Sequence, residues 1–309
     1  MAVPSDDRFA PDDDAPIPYM ARTREYYAAI GYTTPYRWAH HVEAPFQPLR
    51  KPLAQSRIAL ITTAAPFDPA KGDQGPGAKY NGAAKFYSVY DGDTSKAHDL
   101  RISHIAYDRV HTTAKDSGTW FPLPQLLRLA AEKRIGEVAS RFFGAPTNRS
   151  HRVTIETDAP EILARCRADR VDAAILVPNC PVCHQTISLV ARHLEANGIP
   201  TVVMGCAKDI VEHAAVPRFL FSDFPLGNSA GKPHDTASQA FTLELALRVL
   251  ETAPAAQTTV QSPLRWGADP SWKRDYNNIA ALSPEELARR RREFDAQKEI
   301  ARTLREPAA

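Results

Sequence analysis

Apolar runs alternate with amphipathic segments along the second half of the chain. The runs predict buried strands at 171–177 (VDAAILV), 200–204 (PTVVM) and 218–222 (RFLFS). Apolar residues at helical spacing follow these runs and predict helices at 181–197, 207–214 and 235–252. Strands that alternate with helices form parallel sheets through right-handed crossovers. The pattern therefore predicts an α/β fold of three layers around a parallel sheet.

The first half of the chain carries a weaker pattern of the same kind. RIALITT (57–63) predicts a buried strand, and LRISHI (100–105) is a second strand candidate. Between them, 66–97 is rich in Gly, Asp and Lys and is expected to be a long loop, of the sort that often carries function. Asp158 is expected to cap a helix that runs to about residue 169.

These elements divide the chain into three parts. Residues 1–54 are expected to form an N-terminal arm and helix, residues 55–253 an α/β catalytic domain, and residues 254–309 a wrapping tail with a charged helix. The middle part is either one Rossmann- or flavodoxin-like domain or two similar lobes that meet near residue 150. In both cases the cleft is expected at the carboxyl ends of the strands, where open parallel sheets bind ligands.

Composition and charge argue against several classes of partner. A net charge of +2 gives no electrostatic case for nucleic acid or for an anionic membrane. No apolar stretch approaches the roughly 18 residues that span a bilayer, and the acidic N-terminus lacks an apolar signal core. We therefore expect a cytoplasmic protein that acts on a small molecule. A homo-oligomer is also expected, with helix 235–252 as a candidate subunit contact.

Two cysteines and a histidine directly follow strand 171–177, in the sequence NCPVCH. Cys180 falls near the N-cap of the next helix, and Cys183 falls in its first turn. Unpaired backbone N–H groups and the helix dipole at this end lower the pKa of a thiol. His184 is a candidate for proton transfer beside them. In a reducing compartment the pattern favours a reactive CxxC dithiol with a thiolate nucleophile.

A metal site is the alternative interpretation of these cysteines. Cys206 follows strand 200–204 and is expected at the same rim, as an auxiliary substrate-binding thiol or as a small apolar side chain. With Cys180, Cys183 and a histidine, either His184 or His104, it could instead hold zinc, since tetrahedral Cys3His sites exist. The dithiol is favoured because neighbouring helical side chains, such as those of Cys183 and His184, point about 100° apart. No tightly bound cofactor is otherwise expected, since the chain lacks P-loop and dinucleotide fingerprints.

The sequence ISHIAYD places further candidates at the end of strand 100–105. His104 and Asp108 are candidate acid–base residues, and Tyr107 is a candidate substrate contact. With His111, which follows closely, His104 and Asp108 could also bind a metal ion.

Hydroxyl groups and glycines supply the remaining candidates. Thr62 and Thr63 end strand 57–63, so their hydroxyls are candidates for substrate contacts, although such hydroxyls often bond local backbone. In PLGNSAGKPHD, Gly227 and Gly231 let the backbone approach a ligand closely, which suggests an anion-holding loop or a lid.

Several ordered motifs resemble a known family. They are ILVPNCPVCHQT, GIPTVVMG and RFLFSDFPLGNSAGKPHD, with a Ser-His-x-x-Tyr-Asp stretch upstream. Over roughly residues 55–250 the chain resembles the B-component proteins of glycine, sarcosine and betaine reductases. It also resembles the smaller catalytic subunit of D-proline reductase and its cysteine-containing relatives.

The resemblance implies an order of roles for the two thiols. In the selenium enzymes a selenocysteine after the equivalent strand attacks carbon and breaks a C–N bond, and a cysteine three positions later resolves the adduct. This implies that Cys180 attacks and Cys183 resolves. Because sulfur replaces selenium here, cleavage of a C–S bond is an alternative to C–N cleavage. An external dithiol or a redox protein would then restore the pair.

Two other function classes stay open at this point. One is a zinc-dependent lyase or hydrolase that uses the cysteines or the His104 cluster. The other is a non-catalytic subunit of a reductase complex.

Overall fold

A mostly parallel β-sheet lies at the centre of the protein, in a computed structural model that describes residues 14–72, 78–147 and 150–303. The strands are β1 (Arg57–Thr62), β2 (Ala65–Pro66), β3 (Tyr90–Asp93), β4 (Leu100–Arg101), β5 (Glu137–Val138), β6 (Arg141–Gly144), β7 (Ala173–Val177), β8 (Thr201–Gly205), β9 (Arg218–Phe221) and β10 (Thr258–Gln261). The helices are α1 (Tyr19–Ala29), α2 (Leu123–Ala131), α3 (His151–Val153), α4 (Ala159–Ala168), α5 (Pro181–Ala196), α6 (Lys208–His213), α7 (Thr236–Thr252) and α8 (Pro284–Thr303).

The strand order of the main sheet is β10-β9-β8-β7-β1-β6-β3, with β5 paired to β1 beside β6. All of these pairs are parallel except that of β3 with β6. Helices cover both faces, which confirms the prediction of a three-layer α/β fold. Strands from both sides of residue 150 join this one sheet, so the described residues do not form one sheet per lobe.

Side chains of β1 alternate between two apolar layers, as expected for a buried strand. Ile58 and Leu60 pack into the layer that includes residues of α2 and α7, while Ala59 and Ile61 pack into the layer that includes α4 and α5. Because both faces of the sheet are covered by helices, ligand access is left to the ends of the strands. The β7–β1 register pairs Val177 with Thr62, so these two strands end side by side.

Segments near both ends of the described chain pack over the carboxyl ends of the strands. The segments 14–20 and 262–278, called the rim cover here, share an apolar cluster with the rim itself. Tyr19 and Tyr276 meet edge to face, with ring centroids 5.0 Å apart. They pack in the same cluster as Cys206 and Phe224. The tail thus adds strand β10 at one edge of the sheet and then returns across the rim.

Two sequence predictions of local structure were wrong. In the 100–105 segment only Leu100–Arg101 forms a strand, and it pairs with β2 in a separate two-stranded sheet. Asp158 does not cap α4, because the helical segment already begins at His151, where the Ser150 side chain accepts a hydrogen bond from the N–H of Val153. A π-helical turn then carries the chain from α3 into α4.

Strands β3, β6 and β10 were not predicted. Each has only four residues, and part of the predicted 66–97 loop forms β3. Such short strands give too little periodic signal for a pattern to show. Among the described residues, no helix is long and apolar enough to cross a membrane.

Candidate dithiol site

Helix α5 begins at the carboxyl end of β7, and Cys180 is its N-cap. The backbone of Cys180 is extended, and its Sγ accepts a hydrogen bond from the backbone N–H of Cys183 at 3.3 Å. Pro181 takes the first helical position, where its missing N–H costs no hydrogen bond. The structure therefore has the strand, cap and helix that the sequence predicted, with a sulfur atom in the usual place of a capping oxygen.

His104 lies beside both sulfur atoms. One ring nitrogen of His104 and the Sγ atoms of Cys180 and Cys183 all lie within 4.8 Å of one another. The segment that carries His104 has no regular secondary structure, so its approach to the dithiol was not visible in the strand pattern. Cys180 is 4% exposed and Cys183 is fully buried, so both thiols are enclosed by protein, while His104 is half-buried.

Cys183 is the thiol whose surroundings favour the charged form. Burial by itself raises its pKa, but a hydrogen bond with Cys180 and the charge and hydrogen bond of His104 outweigh that effect. Thr147 adds a further hydrogen bond, with its Oγ1 donating to the Cys183 Sγ at 3.4 Å. The pKa of Cys183 is held well below its usual value as a result. Thr147 was not a sequence candidate, because no motif marks it.

His184 has no free nitrogen for proton transfer. Its Nδ1 lies 2.8 Å from the Cys180 carbonyl oxygen, and its Nε2 accepts a hydrogen bond from the backbone N–H of Cys206 at 2.9 Å. This pairing fixes a neutral ring with the proton on Nδ1, and burial lowers the pKa of His184 to about 4. A Cβ on Gly205 would lie 2.9 Å from the ring nitrogen, so the ring requires glycine there. His184 therefore holds the backbone of Cys180 and the backbone of Cys206 in place beside the dithiol.

Cys206 lies at the rim as predicted but outside the group formed by His104 and the two thiols. Its Sγ lies 3.7 Å from Ser229 Oγ, and its side chain packs in the apolar cluster of the rim cover. Burial raises the pKa of Cys206 to about 12, and burial raises that of Cys166, on α4, to about 12 as well. Neither environment favours a thiolate.

Asp108 and His111 form a separate pair away from the thiols. The Asp108 carboxylate accepts backbone hydrogen bonds from Val110 and His111 and lies 3.0 Å from Nδ1 of His111. The other ring nitrogen of His111 lies 3.1 Å from Asp275 in the rim cover. The structure therefore separates the predicted His104–Asp108–His111 set and uses two of its members to hold the cover.

Arg109 is a charged neighbour of the site that sequence reasoning missed. Its guanidinium stacks on the buried Tyr107 ring, 3.9 Å from the centroid, and donates to the carbonyl oxygens of His104 and Ile105 at 2.7 and 2.6 Å. It has no carboxylate partner among the described residues. Tyr107, a predicted substrate contact, supports Arg109 in this arrangement, and Arg109 in turn fixes the backbone of His104.

Buried polar side chains without partners lie at the ends of β1 and β7. Thr62 accepts a hydrogen bond from the backbone N–H of Ala64, so its hydroxyl bonds local backbone, which was the alternative to a substrate contact. Thr63 Oγ1 and both amide atoms of Asn179 are buried and have no partner among the described residues. Asn179 directly precedes Cys180, so its position in the NCPVCH motif could have identified it as a site residue. Unpaired buried groups of this kind are rare in folded proteins, and a catalytic role is one of their recognised explanations.

The loop with Gly227 and Gly231 is buried rather than open to solvent. Both glycines have positive φ angles, and a Cβ on Gly231 would lie 2.7 Å from the backbone of Gln239 in α7. Thr119 Oγ1 donates to the Gly227 carbonyl at 3.1 Å. These contacts make the loop a packed connection between α7 and the 102–121 segment.

The rim cover is tied down by polar contacts at several points. Lys273 pairs with Asp223 and donates to the carbonyl oxygens of Asp14 and Ala15 at 3.2 and 3.3 Å. Tyr276 donates its hydroxyl to the carbonyl of Ala106, within the segment that carries His104. Burial raises the pKa of Tyr276, and the nearby Cys180 raises it further. The tail therefore contributes to the enclosure of the dithiol.

Comparison with known proteins gives relatives of one kind. D-proline reductase subunit gamma of Acetoanaerobium sticklandii is 28% identical over 225 residues, which is 72% of this chain and 89% of that subunit. Glycine reductase complex component B subunit gamma is 25% identical over 221 residues in Carboxydothermus hydrogenoformans and 26% identical over 245 residues in Symbiobacterium thermophilum. The chain is a homologue of these reductase subunits. No family model and no solved structure matches the sequence.

The homology confirms the resemblance that the motifs carried. The two glycine reductase matches include 69% and 74% of this chain. They include only 50% and 54% of the glycine reductase subunits, so the chain spans about half the length of those relatives. Its relatives are subunits of reductases, which supports a reductase-type role or a place in a reductase complex.

Proposed function

We propose that the protein is a thiol-dependent reductase that cleaves a C–N or C–S bond of a small molecule, alone or as part of a reductase complex. The observation that carries the proposal is the group of Cys180, Cys183 and His104, with all three ligand atoms within 4.8 Å at the N-terminus of α5. The relatives act as reductase subunits, and the same rim carries unpaired polar groups for a substrate.

In the first step Cys180 attacks the substrate carbon. Cys180 is the more exposed of the two thiols, and the hydrogen bond within the pair lets the two sulfur atoms share one thiolate charge, so the charge can reside on Cys180 when it attacks. A bond forms between Cys180 Sγ and carbon as the C–N or C–S bond breaks. The leaving nitrogen or sulfur keeps the bonding electron pair and takes a proton, which His104 is placed to deliver.

In the second step Cys183 resolves the adduct. Its sulfur attacks Cys180 Sγ, an S–S bond forms, and the S–C bond breaks with its electron pair going to carbon, which takes a proton. The substrate has then gained two electrons and two protons, and the dithiol has become a disulfide. An external dithiol or a dithiol redox protein reduces that disulfide and completes the cycle.

Trapping the covalent adduct tests this proposal. A Cys183→Ser variant retains the attacking thiol but cannot resolve, so we expect substrate mass to accumulate on Cys180. The assay incubates the protein with a panel of small molecules, including D-proline and glycine because the relatives' names give these substrates, and reads intact and peptide masses. A Cys206→Ser variant is the control, and it should turn over substrate with dithiothreitol as the wild type does.

Three results would reject the proposal. These are an adduct on a residue other than Cys180, full turnover by a Cys180→Ser variant, and turnover by the Cys183→Ser variant at the wild-type rate. The absence of both adduct and turnover, with the panel alone and with added reductase components, would count against the proposal and favour a non-catalytic subunit.

A further inference from the structure

We propose that His104, Cys180 and Cys183 bind a zinc ion, and that zinc and the disulfide are mutually exclusive states of this site. The binding itself follows from the geometry of the three side chains. Only its inhibitory consequence rests on the proposed dithiol function.

The three ligand atoms already have nearly the spacing of a zinc site. In a tetrahedral site with Zn–S bonds of about 2.3 Å and a Zn–N bond of about 2.0 Å, ligand atoms lie roughly 3.5–3.8 Å apart. The Sγ atoms of Cys180 and Cys183 and a ring nitrogen of His104 lie within 4.8 Å of one another. Movements of about 1 Å or less therefore bring all three to bonding distance.

The structure also determines which side chains are available as ligands. Both ring nitrogens of His184 are used in backbone contacts, and Cys206 packs beside Ser229, so neither belongs to the group. His104 differs from His184 in that its Nδ1 is buried and has no hydrogen-bond partner among the described residues. Since one ring nitrogen of His104 lies within 4.8 Å of both sulfur atoms, His104 is an available third ligand, and the site has three protein ligands instead of the four that the sequence suggested.

Surrounding hydrogen bonds suit two thiolates bound to a metal. Thr147 donates to the Cys183 sulfur, and the N–H of Cys183 donates to the Cys180 sulfur. Contacts of this kind orient metal ligands and stabilise their charge. Arg109 holds the backbone carbonyl of His104 at 2.7 Å and so fixes the third ligand. With three protein ligands, the fourth position is left for water or a small molecule.

Zinc and the disulfide compete because they use the same sulfur atoms. Oxidation joins Cys180 to Cys183 and removes two of the three ligands, so it must release the metal. Bound zinc in turn occupies both thiolates and blocks attack on a substrate. The protein would therefore alternate between a metal-loaded resting form and a metal-free form that carries out the dithiol chemistry.

Metal titration of the reduced full-length protein tests the proposal. After chelation and removal of the chelator, we expect one equivalent of Zn²⁺ to bind, measured by calorimetry and elemental analysis. Co²⁺ should give the thiolate charge-transfer absorption of a tetrahedral site. Cys180→Ser, Cys183→Ser and His104→Ala should each weaken binding by at least about tenfold. Cys206→Ser is the matched control, since it alters a buried cysteine at the same rim and should bind zinc as the wild type does.

Oxidised wild-type protein gives a test that does not depend on the folding of variants. After diamide treatment forms the Cys180–Cys183 disulfide, zinc binding should be lost, and it should return after reduction. Bound zinc should also protect both cysteines from alkylation. The proposal is overturned if the reduced protein binds no zinc, or if binding persists in the oxidised protein. These results leave the dithiol reductase proposal untouched, because adduct formation on Cys180 is measured without metal.

Discussion

The Nε2 of His184 accepts a hydrogen bond from the backbone N–H of Cys206 at 2.9 Å, while the ring's other nitrogen pairs with the Cys180 carbonyl. One imidazole thereby connects the N-cap of α5 to the end of β8. Because Nε2 can accept this hydrogen bond only in the neutral ring, protonation of His184 must break the contact with Cys206. This makes the enclosed dithiol sensitive to acid through a residue that does no chemistry itself.

The first prediction concerns stability against pH. Burial lowers the pKa of His184 from an ordinary value of 6.5 to about 4, so the unfolded chain binds its proton more readily than the folded protein. This contribution to stability is complete above about pH 6.5 and is lost as the pH falls from there to about 4. The loss amounts to about 3 kcal/mol, measured by chemical denaturation across that range.

A His184→Gln variant provides the comparison for this prediction. It should be less stable than the wild type at pH 7 and show a shallower decline between pH 6.5 and 4. An unchanged decline would mean that other groups, and not His184, set the acid sensitivity.

The second prediction concerns selective labelling of the four cysteines. Iodoacetamide at pH 6 should modify Cys180 or Cys183, because the pKa of Cys183 is held well below its usual value and the pair shares one thiolate. Cys166 and Cys206 should stay unmodified, since burial raises the pKa of each to about 12. Peptide mass spectrometry reads all four sites in one experiment. Equal labelling of all four would rule out a specially activated dithiol.

The third prediction concerns access to the thiols. Lys273 connects Asp223 in the rim to the Asp14 and Ala15 carbonyls, so Lys273→Met should loosen the rim cover. If the loss is about 1.4 kcal/mol, alkylation of Cys180 in the folded protein should become about tenfold faster. The assay follows modification against time under native conditions.

Lys51→Met is the matched control for access. It removes an ion pair of 2.8 Å with Asp172, at the opposite end of the strands from the rim. In the Lys51→Met variant, Cys180 should be alkylated at the wild-type rate. Equal acceleration in both variants would show that general destabilisation, and not the cover, governs access.

The fourth prediction concerns the unpaired amide of Asn179. Since both of its polar atoms are buried without partners among the described residues, Asn179→Leu should leave the free energy of unfolding unchanged or raise it by about 1 kcal/mol. Substrate turnover should fall in the same variant, because leucine removes the amide that we expect to hydrogen-bond the substrate.

Asn228→Leu is the contrasting variant. Asn228 is equally buried, but its amide donates to the Pro225 carbonyl at 2.9 Å and accepts from Thr112. Its loss should cost about 1–3 kcal/mol in denaturant unfolding experiments. If Asn179→Leu costs as much, then Asn179 has a structural role and not a ligand-binding one.

How much of this site could be predicted depends on whether its residues lie on regular elements. Cys180 and Cys183 follow a long apolar run and a proline, so strand, cap and helix were predictable together. His104 was expected at the end of strand 100–105, but it lies on an irregular segment, so no regular element predicted its position beside the two thiols. The position of Cys206 at the end of a strand correctly predicted that it lies at the rim. Its side-chain packing could not be predicted, because it depends on Tyr19 and other residues that are distant in sequence.

The tail was the least predictable part of the fold. Residues 254–309 show apolar positions at no regular spacing before the last helix, and β10 has only four residues. The docking of Trp272 and Tyr276 depends on a surface built by several other elements. Such contacts between distant parts of a chain have no local signal.

The rim cover also determines when the site closes during synthesis. Chains emerge from the ribosome N-terminus first, so strands β1 to β9 and both cysteines are made before β10 and residues 262–278. Until that tail docks, the dithiol lies at an open edge that cellular reductants and metal ions reach directly. The redox state of the two thiols, and any metal that they bind, is therefore first set before residues 262–278 pack over them.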